Sequence, residues 1–62
     1  ALSARELEIL QALSTGQSNK QIAQELFISE ATVKTHLIHV YQKLGVDTRT
    51  AAVSAARERK LI

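Results

Sequence analysis

The sequence predicts an all-α fold: a compact four-helix domain that contains a helix-turn-helix. Three observations lead there. The 62 residues include no proline and only two glycines, Gly16 and Gly45, so helix is free to form except at two points where helices are expected to stop. The composition is rich in Ala, Leu, Ile, Gln, Glu, Lys and Arg, which favours helix. Serine or threonine recurs just ahead of apolar residues at helical spacing. Helices are therefore expected over about 3–15, 19–26, 30–44 and 48–58.

The first helix opens on Ser3-Ala4-Arg5-Glu6, a capping box in which the serine hydroxyl accepts from the third helical amide and the glutamate reaches back. Leu2 and Leu7 have the spacing of a hydrophobic staple. Leu7, Leu10 and Leu13 define the expected inner face, and Gly16 ends the segment. Glu6 falls close to the Leu10 stripe, so a partly buried carboxylate is expected; it requires a partner, and Arg49 and Lys43 are the candidates.

Ser18 and Gln21 repeat the capping-box spacing ahead of a second helix of about two turns, with Ile22, Ala23 and Leu26 inward. After a break of three or four residues at Leu26-Phe27-Ile28-Ser29, Ser29 caps the third helix and Glu30 stands in its first turn, where the dipole favours an acid. Val33, Leu37, Val40 and Leu44 form a narrow inner stripe at 100° per residue, and Gly45 stops the helix. Asp47 or Thr48 caps the fourth, which turns Ala52, Val53 and Ala56 inward and gathers Arg57, Arg59 and Lys60 at its end. Phe27 sits in the turn where helix-turn-helix proteins often carry glycine. A bulky residue in the left-handed region is costly, so a differently shaped turn is expected there.

Composition bounds the function. A hydrophobic content of 45% is that of a folded domain, and 62 residues allow one small core of marginal stability. With no cysteine there is neither a disulfide nor a thiolate metal site. No apolar run approaches the roughly 18 residues of a membrane span, and no signal peptide opens the chain, so a cytoplasmic location is expected. The chain starts at Ala1 without a methionine, which suggests a fragment of something longer. The net charge of +2 and isoelectric point near 9.4 suit a polyanion without requiring one.

The arrangement of the charges is more informative. A short helix, a tight turn and a longer capped helix form a helix-turn-helix over about 19–38. Ala23 stands where the two helices would cross, and Val33 faces it from the second. The outer face of the third helix carries Ala31, Thr35, Ile38, His39 and Gln42, flanked by Thr32, Lys34 and Lys43, with no acid between Ala31 and Gly45. These are groups that meet phosphates and base edges. Lys34 and Thr35 lie in the N-terminal half, the part of such a helix that enters the major groove. Ile38, one turn on, can cover a thymine methyl. His36 and His39 lack the further ligands that a metal site requires.

Leu2-Ser3-Ala4-Arg5-Glu6, Gly16-Gln17-Ser18-Asn19-Lys20-Gln21-Ile22-Ala23, Ile28-Ser29-Glu30-Ala31-Thr32-Val33-Lys34-Thr35-His36, Lys43-Leu44-Gly45-Val46 and Arg49-Thr50-Ala51-Ala52 occur in this order. Together they resemble the LuxR-type, or NarL/FixJ-type, helix-turn-helix domain of bacterial transcription regulators. The resemblance runs from Leu2 to about Ala56. It implies a single DNA-binding domain whose third helix reads the major groove. The matching positions put Lys34, Thr35 and Ile38 at the bases, and Ser18, Asn19, Lys20, Thr32 and His39 at the phosphates. It also implies self-association through the fourth helix, around Ala51 and Ala55, a possible contact with RNA polymerase, and an upstream receiver or small-ligand domain. Many members carry a polar or basic residue where this chain has Ile38. No cofactor is implied.

Two other classes of function fit the sequence less well. An enzyme needs a pocket with convergent groups, and the sequence offers no phosphate loop, metal set or nucleophile constellation. A helical protein-interaction module, or a sigma-factor-like promoter-contacting domain, remains as the alternative; exposed apolar anchors would suit an interaction module better than a Lys/Thr/His/Gln face.

Overall fold

A computed structural model describes residues 1–62. Four helices follow one another: α1 (Ala4–Ser14), α2 (Asn19–Leu26), α3 (Glu30–Leu44) and α4 (Arg49–Glu58). Each agrees with its expected span to within a residue or two.

Every helix begins at an oxygen-bearing side chain. Ser3 Oγ accepts from the Glu6 amide at 3.1 Å while Glu6 Oε1 accepts from the Ser3 amide at 2.8 Å. Ser18 and Gln21 make the same reciprocal pair at 3.2 and 2.9 Å. Ser29 accepts from the Thr32 amide, and Thr48, rather than Asp47, accepts from that of Ala51. Each such cap is worth about 1 kcal/mol, which matters in a domain with so small a core.

α3 is the central element and packs against each of the other three helices. It contributes Val33, Leu37, Val40 and Leu44 to the core, meeting Ile9, Leu10 and Leu13 of α1, Ile22 and Ala23 of α2, and Ala52 and Ala56 of α4. Val53 and Leu26 are only half-buried. The inner face of α1 differs from the expected Leu7–Leu10–Leu13 stripe. Ile9 is fully buried and Leu7 half-buried, because α1 packs against both α3 and α4 and turns a wider arc inward than one neighbour requires. Leu7 instead lines an apolar surface cleft with Leu2.

The turn at Phe27 corrects an expectation. Phe27 does adopt the left-handed conformation, with φ 59° and ψ 42°, and its side chain is 95% exposed. The reason lies in a device repeated at all four helix ends. Gly16, Phe27, Gly45 and Lys60 all have positive φ. The amide after each reaches a carbonyl five residues back: Gln17 to Ala12, Ile28 to Ala23, Val46 to Tyr41 and Leu61 to Ala56. This is the Schellman closure. At three of the ends the residue that follows, Ile28, Val46 or Leu61, packs onto the core. A non-glycine residue in this conformation costs about 1–2 kcal/mol. The hydrogen bond from Ile28 and the partial burial of its side chain offset that cost at Phe27.

Candidate nucleic-acid interface

The inward stripe of α3 fixes what the helix shows to solvent. Ala31, Thr32, Lys34, Thr35, Ile38, His39 and Gln42 are all exposed, and His36 is half-buried. Lys34 makes no ion pair, whereas Lys43 donates to Glu6 Oε1 at 2.7 Å. Of the two basic residues flanking this face, only Lys34 is free for a ligand; Lys43 serves the fold. This also settles the partner of Glu6. Arg49, the other candidate, instead donates through Nη2 to the Gln17 carbonyl. Arg49 thereby ties the start of α4 to the residue before the Ser18 cap, and so positions the start of α2. Sequence spacing left that role unseen, because a side-chain bond to a carbonyl 32 residues away has no local signature.

Hydroxyls at the start of α3 are coupled. Ser29 Oγ and Thr32 Oγ1 lie 2.9 Å apart, and Thr35 Oγ1 donates to the Ala31 carbonyl at 3.1 Å. At the start of α2, Ser18 and Lys20 are exposed and Asn19 is half-buried. Asn19 Oδ1 is buried and lacks a hydrogen-bond partner, so its oxygen points inward rather than toward a ligand. The first backbone amides of α2 remain open, as helix geometry requires. A cation at Lys20 stands beside them, and no acid lies in that first turn. The start of α3 differs in carrying the exposed Glu30, which opposes an anion there. Of the two helix starts, that of α2 is the more electropositive.

The outer face of α3 contributes no residue to any of the three surface clefts of the molecule. It is an exposed ridge of polar and methyl-bearing side chains, outside the clefts that could enclose a small molecule. No three His, Asp or Glu side chains are grouped to hold a metal ion, and no helix is long and apolar enough to cross a membrane. On α4, Ala51 and Ala55 are half-buried.

Comparison with known proteins places this geometry. The profile of the family described as "Bacterial regulatory proteins, luxR family" matches residues 1–56. The CsgBAC operon transcriptional regulatory protein of Escherichia coli K12 is 54% identical over 57 residues, covering 92% of this chain and 26% of its own. The transcriptional regulatory protein LiaR of Bacillus subtilis 168 is 45% identical over 62 residues, covering 100% of this chain and 29% of its own. Among solved structures, that of the response regulator ChrA, from a heme-sensing two-component system, superposes with a TM-score of 0.97 at 71% identity. That match covers all of this chain and 31% of the other. The chain thus spans less than a third of the length of these relatives.

Proposed function

The chain belongs to the luxR family of bacterial regulatory proteins, and we propose that within a longer regulator it is the DNA-binding domain, with α3 lying in the major groove. DNA binding for transcription regulation is what membership of this family implies. The observation that carries it is the exposed, acid-free outer face of α3, rigidly presented by the packing of Val33, Leu37 and Val40 on its other side.

In this reading Lys34, Thr35 and Ile38 meet base edges. Ser18, Asn19, Lys20, Thr32 and His39 meet the phosphates on either side, with the open amides of α2 adding their partial positive charge. For Asn19 the contact falls to its nitrogen and backbone, since its oxygen is turned inward. Two chains bind two half-sites and gain affinity by pairing through α4, where the small residues Ala51 and Ala55 let two backbones approach. The parent protein is a cytoplasmic response regulator whose remaining length supplies the regulatory domain, and RNA polymerase is a further partner.

Binding to a random duplex pool tests the DNA contacts. The chain selects a defined sequence, and Lys34→Ala loses that selectivity; an unchanged footprint and preference for Lys34→Ala would remove Lys34 from the bases. Sedimentation tests the pairing. A bulky residue at Ala55 is expected to weaken dimers of the DNA-bound chain, and dimers indifferent to it would place the interface elsewhere.

A further inference from the structure

Only three large apolar side chains are well exposed: Phe27, Ile38 and Ile62. Phe27 stands at a turn and Ile62 at the last residue; Ile38 alone lies within a helix, 56% exposed. It does not stand in isolation. Ala31, Thr35 and Ile38 fall within about 60° of one another at 100° per residue, on the side of α3 opposite the buried Val33, Leu37, Val40 and Leu44. Their spacings of four and three residues make them surface neighbours along the helix.

Thr35 is the informative member. Its hydroxyl donates to the Ala31 carbonyl at 3.1 Å. So held, it offers a ligand a methyl group and oxygen lone pairs. A group of that kind suits the C5-methyl of thymine, or the exocyclic amine of adenine or cytosine. It does not suit guanine, whose major-groove edge presents acceptors alone. Ala31 contributes a methyl and Ile38 a branched aliphatic end. The ridge that faces the groove is thus a line of methyl groups, and the only free cation beside it on α3 is Lys34.

We infer that the Ala31–Thr35–Ile38 ridge reads thymine methyl groups, so that the preferred half-site carries neighbouring thymines next to a guanine held by Lys34. This rests on the DNA-binding reading above and specifies the chemistry at its centre. Burying the exposed Ile38 against a methyl recovers apolar contact that water denies it. A base pair without the methyl leaves the side chain facing a polar edge.

The test uses the 62-residue chain and a duplex selected from a random pool. Each thymine of the selected half-site is replaced singly by uracil, which removes the C5-methyl and leaves the hydrogen-bonding edges intact. Binding is expected to weaken about fourfold at each contacted methyl, at two or more positions. Ile38→Ala, an exposed site whose truncation leaves the core untouched, is expected to make one of those positions indifferent to uracil. If the chain selects a sequence yet binds the uracil and thymine duplexes alike, the methyl reading is overturned and DNA recognition stands. If it selects no sequence at all, base reading by α3 falls and this inference with it.

Discussion

Lys43 Nζ lies 2.7 Å from Glu6 Oε1, and the same carboxylate oxygen accepts from the Ser3 amide at 2.8 Å. One oxygen thus closes the cap of α1 and ties it to the far end of α3. Glu6 is almost wholly covered, at 4% exposure, while the Lys43 side chain remains 43% exposed. An acid in this position is tolerated because both of its bonds are to groups that favour its charged form.

The pH dependence of stability follows from that contact. The hydrogen bond from Lys43, then that from the Ser3 amide, holds the Glu6 carboxyl down at about 2 against an ordinary 4.5, opposed by partial desolvation. A carboxylate with a depressed folded-state pKa contributes its stability above the unfolded value and loses it as pH falls through the folded one. Unfolding followed by circular dichroism should therefore show this contribution in full above about pH 4.5 and losing strength from there down to about pH 2. Glu6→Gln should lower the thermal midpoint at pH 7 and flatten the profile in that acid window. An unchanged acid slope would remove the contact from the stability account.

Phe27→Gly is expected to raise stability by about 0.5–1 kcal/mol. The substitution relieves a left-handed residue that costs about 1–2 kcal/mol, less the extra freedom glycine has in the unfolded chain. At 95% exposure the ring has almost no packing to lose. Urea unfolding at constant slope measures the difference, and a destabilised variant would mean that the ring holds the turn.

Ala23→Leu should destabilise by about 1–3 kcal/mol through overpacking. Ala23 is 5% exposed on α2, which packs directly on α3, and its carbonyl receives the amides of both Phe27 and Ile28. A larger side chain must push the helices apart and disturb the turn together. The thermal midpoint should fall by about 4–8 °C per kcal/mol in a domain of this size; a neutral result would show room at the crossing.

Lys20→Ala and Lys34→Ala should separate two kinds of contact. Loss of Lys20 is expected to weaken all duplexes about equally and lower the slope of log K against log salt by about one. Loss of Lys34 should cost about 1–3 kcal/mol on the selected sequence and little on others. Filter binding across a salt series reads both, and a sequence-selective loss at Lys20 would contradict its place on the backbone.

Much of this fold is legible in the sequence because the helix signals are local. Ser3, Ser18, Ser29 and Thr48 each find their partner amide three residues on, so a short pattern suffices to place four helix starts. The inner stripe of α3 is equally plain. What the sequence hides depends on elements far apart. Whether Glu6 meets Lys43 or Arg49 depends on how α3 and α4 approach α1, and the burial of Ile9 on α1 having two neighbours. Phe27 misleads for a different reason: propensity opposes a left-handed phenylalanine, yet Ile28 next to it supplies the bond and the burial that outweigh propensity. The exposed face of α3 is legible as polar and acid-free. That Thr35 donates back to the Ala31 carbonyl, and that Lys43 pairs with Glu6, emerges only from the geometry.

The start of α2 and the outer face of α3 are proposed to meet DNA together. An amide chemical-shift titration of the 62-residue chain with a mixed-sequence duplex at low salt tests it most directly, since phosphate contacts by a single domain weaken steeply with salt. Shifts concentrated at Ser18 to Lys20 and Glu30 to His39 are the predicted result. An absence of shifts at millimolar DNA, or shifts confined to α4, would contradict it and leave the helix-turn-helix as a scaffold for protein contacts.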